Sequence, residues 1–216
     1  MKKNILILFF FTYLFSASLS VNNNFELLET SDFIKIKFEL DDIELNQNND
    51  FTKIISSSKG ETSIIGMPKL PTFTSLVQLD PKKEYSVSFE IVSSYTIENI
   101  NIIPNQKIVN GLEKTYIDDI DDFFYKSNNN YPYKNVSLSE PMIMRDIVLS
   151  SLQITPFIYN PYLKQLEVIE DIDIIINEIN TVSDIRNREL PKSKVFENIY
   201  SRTIINYDMN SRDNDY

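Results

Sequence analysis

The sequence contains no cysteine and no histidine. A Cys–His dyad, a Ser–His–Asp triad and a zinc site built on His or Cys are therefore excluded outright. With no disulfide possible, the folded state depends on packing alone even in an oxidising compartment. Glycine is scarce, at 3 in 216 residues, and basic side chains are outnumbered, with 21 Lys and Arg against 31 Asp and Glu. That deficit argues against a nucleic-acid partner, because phosphate binding rests on neutralisation by Lys and Arg. No apolar run is long enough to cross a bilayer, which takes about 20 residues.

The one apolar run that does occur, Ile5 to Phe15, follows Lys2 and Lys3 and precedes Ser16-Ala17-Ser18-Leu19-Ser20. A positive start, a short apolar centre and small residues are the marks of a secretory signal peptide, with cleavage expected after Ser20. The expected location is then periplasmic, extracellular or at the cell surface, with no membrane anchor once the signal is removed. The exported chain would carry 19 basic and 31 acidic residues, a net charge of −12. Its roughly 196 residues can bury one good core or two small ones.

Ile and Asn are the commonest residues, with Ser close behind; the first favours strands and the others favour turns. From Phe33 to Leu40 the apolar residues Ile34, Ile36, Phe38 and Leu40 alternate with Lys35, Lys37 and Glu39, the period of a half-buried strand. Asn46 to Asp50 reads as a polar turn. Short strands are expected at Thr52 to Ile55 and Thr62 to Ile65, then at Thr74 to Leu79 and from Tyr85 to Ile91. A further strand, Thr96 to Ile103, is expected to pair beside the last of these.

Residues 105 to 141 are irregular, and after them Met142 to Ile176 reads as two strands around a turn bracketed by Pro156 and Pro161. Val148, Leu152 and Ile154 share one face of the first strand. Leu166, Val168, Ile172, Ile174 and Ile176 share one face of the second. Ser193 can cap a short helix whose buried face is either Val195, Ile199 and Thr203 or Phe196, Tyr200 and Ile204. The expected architecture is an all-β antiparallel sandwich, jelly-roll-like, with a short C-terminal helix. The sandwich would occupy residues 21–180, and linker, helix and tail residues 181–216.

Three blocks carry a resemblance. They are Gly66-Met-Pro68-Lys-Leu70-Pro71 with Leu76-Val77-Gln-Leu79; the Arg145 to Ile176 stretch with Pro156, Phe157, Tyr159 and Pro161; and Phe196-Glu-Asn-Ile199-Tyr200 with Ile204-Ile205-Asn206-Tyr207. In this order they resemble the prodomain of the gingipain-like cysteine peptidases, peptidase family C25. The resemblance implies a β-sandwich and a partner, the peptidase catalytic domain, held latent in cis or in trans. It implies no catalysis by this chain, since the Cys and His of such a peptidase sit in the catalytic domain.

These peptidases prefer a basic residue at the cleavage point, and their prodomains are thought to place a basic side chain in that pocket. Lys126, Lys114 and Lys134 are the candidates here, with Lys107 also in the irregular segment. Lys126 is preferred because it follows Phe123-Phe-Tyr125, whose area can anchor a loop. For any one lysine the ordinary reading is a solvated side chain. Arg186, Arg188 and Arg202 are candidate processing sites. Arg145 is expected to hold a neighbouring loop or enter an ion pair.

Asp118, Asp119, Asp121 and Asp122 read as a solvated acidic loop. They lack the spacing and glycine of a calcium loop, so no metal and no cofactor is expected. The rival reading is a secreted sandwich used for binding or adhesion without a peptidase partner.

Overall fold

The computed structural model describes residues 24–30, 33–109, 111–113, 117–181 and 190–208. In chain order the strands are β1 (Phe25–Glu29), β2 (Ile34–Glu39), β3 (Glu44–Asn48), β4 (Phe51–Ile55), β5 (Gly60–Glu61), β6 (Pro71–Leu79), β7 (Lys83–Glu98), β8 (Ile108–Val109) and β9 (Leu112–Glu113). A single helical turn, α1 (Asp122–Tyr125), is followed by β10 (Val136–Leu138), β11 (Met142–Met144), β12 (Ile147–Ile154), β13 (Phe157–Asn160), β14 (Gln165–Thr181) and helix α2 (Lys194–Thr203).

Two antiparallel five-stranded sheets face each other. One runs β1-β2-β14-β13, with β7 on the other side of β14; the second runs β10-β12-β6-β5, with β11 also on β12. The alternation of β2 is the physical origin of the first sheet. Ile34, Ile36 and Phe38 stand opposite Ile176, Ile174 and Ile172 of β14, so cross-strand pairs line one buried face. Across the sandwich they meet Phe73, Val77 and Leu79 of β6 and Leu152 and Ile154 of β12. Phe38 is packed edge-on between Phe25 and Phe73, at centroid distances of 5.2 and 5.1 Å.

The structure departs from the sequence pattern in several places. Pro156 to Pro161 is not a turn: Phe157–Asn160 is strand β13, paired with residues 165–168 of β14. The turn comes after it, where Lys164 adopts φ 52°. The strands before and after this hairpin's start, β12 and β14, belong to different sheets.

The apolar residues of β14 do not share one face. Pairing with β7 slips between Ile169 and Ile172, and such a bulge reverses the side-chain alternation. Leu166 and Val168 therefore enter one core and Ile169, Ile172, Ile174 and Ile176 another. Nor do two short strands pair beside each other near residue 95. Residues 83–98 are one sixteen-residue strand lying along β14, with no Gly or Pro to break it.

Asn46 to Asn48 belong to strand β3, and the turn is Asn49, at φ 54°, with Asp50. β3 is exposed throughout, so no hydrophobic period announced it. Thr62 to Ile65 is not a strand; the Thr62 hydroxyl instead donates to the Pro68 carbonyl at 2.7 Å and accepts from the Leu70 amide at 3.0 Å.

α2 lies on the outer face of the second sheet, where Tyr200 and Ile204 pack with Ile147 and Leu149. Of the two possible helix faces, Phe196, Tyr200 and Ile204 is the one used; Val195 and Ile199 are exposed. Ser193 stands at the N-cap, but its side chain caps nothing. The Tyr200 hydroxyl donates to the Asp146 carboxylate at 2.7 Å, and Asn206 bonds both backbone groups of Gln78, at 2.7 and 2.9 Å. Arg145, at φ 58°, sets its guanidinium 4.8 Å from the centre of the Phe196 ring and donates to the Pro191 carbonyl at 2.8 Å. It holds a neighbouring segment rather than facing a ligand.

Candidate functional site

The irregular segment between β9 and β10 is built over its own core. Ile54, Met67, Leu70, Ile100, Ile102, Phe157, Tyr159, Leu166 and Val168 form a platform, and Phe124 and Tyr131 of the segment are buried against it. The rings continue across the contact. Phe124 meets Tyr125 at 5.6 Å and Tyr131 at 5.8 Å, and Tyr125 meets Tyr159 at 6.3 Å. The Tyr125 hydroxyl also donates to the Ile102 carbonyl at 2.8 Å. Burial holds the phenols of Tyr125, Tyr131 and Tyr159 in their neutral form: all three are raised, and Tyr159 is pushed up to about 12.

Both ends of the segment are tied down by polar groups. At its start, Gln106 is buried and uses its whole amide. The oxygen accepts from the Asp118 and Asp119 amides at 3.0 and 3.1 Å, and the nitrogen donates to the Pro104 and Asp119 carbonyls at 3.0 and 2.9 Å. Gly66 comes next. Its carbonyl accepts from the Asp121 amide at 3.0 Å and its own amide donates to the Asn105 carbonyl at 2.8 Å. Its φ is +81°, and a Cβ there would lie 2.9 Å from the Asp121 nitrogen, so only glycine fits this approach.

Asp121 then caps α1, its carboxylate accepting from the Phe124 amide at 2.9 Å. At the far end, the buried Asn160 donates to the side-chain oxygens of Asn128 and Asn130 at 3.0 and 2.9 Å. Tyr131 and Tyr159 exchange backbone bonds of 2.9 and 2.8 Å.

What this frame presents to solvent is Phe123, 83% exposed, and Lys126. Lys126 is the C-cap of α1 and pairs with Asp122 at 3.1 Å, both side chains being more than three-quarters exposed. Lys134 is also exposed, beyond the neighbouring Tyr133. Lys114, Arg186, Arg188 and the Ser20 cleavage point lie outside the described residues. Arg202 is described, on the exposed side of α2.

The four aspartates have separate tasks: the Asp119 carboxylate accepts from the Lys107 amide at 3.0 Å, Asp121 caps, Asp122 pairs with Lys126, and Asp118 is held through its amide. Among the described residues no group of three acidic side chains converges where a metal ion would sit.

The family model Propeptide_C25 matches residues 16–213. The chain belongs to the C25 propeptide family. Among curated proteins it is similar to gingipain R1 of Porphyromonas gingivalis, 26% identical over 201 residues, covering 89% of this chain and 20% of that protein. It is likewise 26% identical over 199 residues to gingipain R2 of the same species, covering 81% of this chain and 25% of that protein. The chain thus spans a fifth to a quarter of the length of these relatives.

Among solved structures, the complex of RgpB pro- and mature domains from P. gingivalis superposes with a TM-score of 0.71. It is 22% identical and covers 87% of this chain and all of that one. A structure addressing zymogenic latency of gingipain K from P. gingivalis gives 0.62 at 15% identity, covering 74% of this chain and 94% of that one. Both superpose on the antiparallel β fold described above, the class that the sequence pattern implied. As a propeptide the chain is not itself catalytic. No described helix is long and apolar enough to cross a membrane.

The sequence pointed to Lys126 and to the aromatic triplet before it. It gave no sign of the clamps. Gln106, Asn160 and Gly66 act on residues 12 to 55 positions away, and an isolated amide or glycine carries no periodic signal.

Proposed function

We propose that this chain is the latency-keeping prodomain of a gingipain-like cysteine peptidase, exported with cleavage after Ser20, and that Lys126 is its plug. The sandwich would cover the catalytic cleft and Lys126 would enter the pocket that recognises basic residues. The observation that carries the reading is an exposed lysine on a loop clamped at both ends. A loop fixed before binding loses little freedom on docking, which is what favours affinity. The Lys126–Asp122 pair does not oppose this, because a fully solvated i,i+4 pair contributes only about 0.3–0.5 kcal/mol. It can be exchanged for a buried acid in a pocket.

Lys134 and Lys114 are the next candidates. Release would follow cleavage at Arg186 or Arg188; Arg202, in a helical backbone, would first have to unwind.

The test is inhibition of gingipain R and gingipain K of P. gingivalis by the chain from Val21 to Tyr216. Truncating a lysine paired with a pocket acid costs about 2–5 kcal/mol, so Lys126→Ala should weaken inhibition more than tenfold. Lys35→Ala, which removes a partly exposed pair with Asp173, should change little. If the two variants inhibit alike, the plug is not Lys126. If the unaltered chain neither binds nor inhibits either peptidase, the secreted binding-module reading replaces this one.

A further inference from the structure

Helix α2 has little of its own to keep it folded. It has ten residues, and a helix of that length is marginal without tertiary packing. The Ser193 side chain at its start makes no capping bond, so the first turn lacks its usual anchor. The grip comes instead from the two-residue turn between β11 and β12. Arg145 of that turn reaches over the helix start. Its Nη2 donates to the Pro191 carbonyl at 2.8 Å, and its guanidinium carbon lies 4.8 Å from the centre of the Phe196 ring. Nη1 is buried and has no hydrogen-bond acceptor among the described residues, so the ring replaces water as the neighbour of this cation. One helical turn further on, the Tyr200 hydroxyl reaches the Met144 carbonyl at 3.2 Å and the Asp146 carboxylate at 2.7 Å.

The turn itself does not call for an arginine. Its φ is 58°, and a positive φ at the first central residue of a two-residue hairpin turn is glycine's ordinary place. Arginine sits there while its side chain serves a segment 46 residues away. An outlier of this kind points to a task for the side chain.

We infer that Arg145 is a latch: it holds α2 against the sandwich and keeps the Arg202–Thr203 bond from a basic-specific peptidase until the helix undocks. The release step rests on the reading of the chain as a prodomain; the latch does not. A peptidase pairs with extended backbone, and Arg202 lies in the last turn of α2, between the buried Tyr200 and Ile204. Hydrolysis would place hydroxyl on the Arg202 carbonyl carbon and a proton on the Thr203 nitrogen, water being consumed after the peptidase nucleophile has attacked. With α2 docked, the Arg202 side chain is exposed but its backbone is helical. Arg202 is therefore a late site, cut only once the segment has let go while the sandwich stays folded.

Arg145→Gly separates the latch from the turn. Glycine takes φ 58° more readily than arginine, so the chain from Val21 to Tyr216 should unfold at the same urea concentration or a higher one. In native-state hydrogen exchange, residues 196–203 should exchange about fivefold faster or more than in the unaltered chain, with β2 unchanged. Digestion by an arginine-specific peptidase, in a chain whose Arg186 and Arg188 are changed to Gln so that α2 stays tethered, should show the cut after Arg202 accelerating in step. Phe196→Leu keeps an apolar side chain without the ring. It should loosen the same residues, and it carries the comparison if Arg145→Gly does not fold.

Unchanged exchange and unchanged cutting after Arg202 in folded Arg145→Gly overturn the inference. So does a lowered urea midpoint with β2 and α2 exchanging faster together, because Arg145 would then be supporting the sandwich and not the helix. The Lys126 plug stands or falls separately, on inhibition.

Discussion

Ile174→Asp isolates the energetics of the sandwich. Ile174 is fully buried on β14, opposite Ile36 of β2 on one side and Phe89 of β7 on the other. Losing a buried Ile forfeits about 1.5–3 kcal/mol of transfer free energy. The carboxylate then has no cation to meet, because the neighbours across the core are Phe73, Val77, Leu152 and Ile154. It must be desolvated or protonated, at a further cost of several kcal/mol.

The sum, about 4 kcal/mol or more, is a large part of the ~5–15 kcal/mol that holds a domain together. The sign of the pH dependence follows. The aspartate would have a raised pKa in the folded state, so its penalty grows as pH rises above the unfolded value near 3.9. Relative to the unaltered chain, the deficit should shrink by up to about 1.4 kcal/mol per unit as pH falls from 7 toward 4. Urea unfolding followed by circular dichroism, on both proteins at each pH, measures this. Ile174→Val, expected to cost about 0.5–1.5 kcal/mol, is the control for packing. A deficit within half a kcal/mol at pH 7, or one that does not change with pH, would show that this face of β14 is not buried.

Two further outcomes are expected. The phenols of Tyr125, Tyr131 and Tyr159 are raised by burial, so their contribution is intact below pH 10 and is lost as pH climbs above it, when the unfolded chain ionises first. In an alkaline titration, part of the phenolate absorbance should appear only together with loss of circular dichroism; ionisation of every phenol with the fold intact would contradict this. Gly66→Ala forces φ +81° on a residue with a Cβ and drives that atom to 2.9 Å from the Asp121 amide. It should lower stability by about 1–3 kcal/mol and, in hydrogen exchange, loosen residues 121–127 more than β2.

How far the sequence disclosed the molecule depended on periodicity. β2 and the second half of β14 were legible because one face is apolar and the other charged. β7 is legible from Tyr85 to Ile91, where apolar residues alternate with Ser86, Ser88 and Glu90; Val92-Ser93-Ser94 then breaks the alternation, yet no residue in it prevents a continuous strand to Glu98. β3 was invisible because it buries nothing. The paired prolines around Phe157 and Tyr159 were noticed but misread: Pro bounded a short strand rather than a turn, and that strand is the floor of the Lys126 loop. Lys126 itself could be nominated from its aromatic neighbours. The clamps could not, because a buried amide that satisfies four backbone groups looks in sequence like any surface glutamine.

The bulge in β14 has a mechanical consequence. One uninterrupted backbone seals the floor beneath the loop with Leu166 and Val168 and, a few residues later, the sandwich with Ile172, Ile174 and Ile176. The two cores are therefore in series on one spine, which pairs with β7 along its length on one edge and with β13 and then β2 on the other. The stiffness of the exposed lysine's perch is then a property of the entire fold. A cavity opened far away, under Phe38 for example, would be felt at residue 126 as a more frequent opening of the turn.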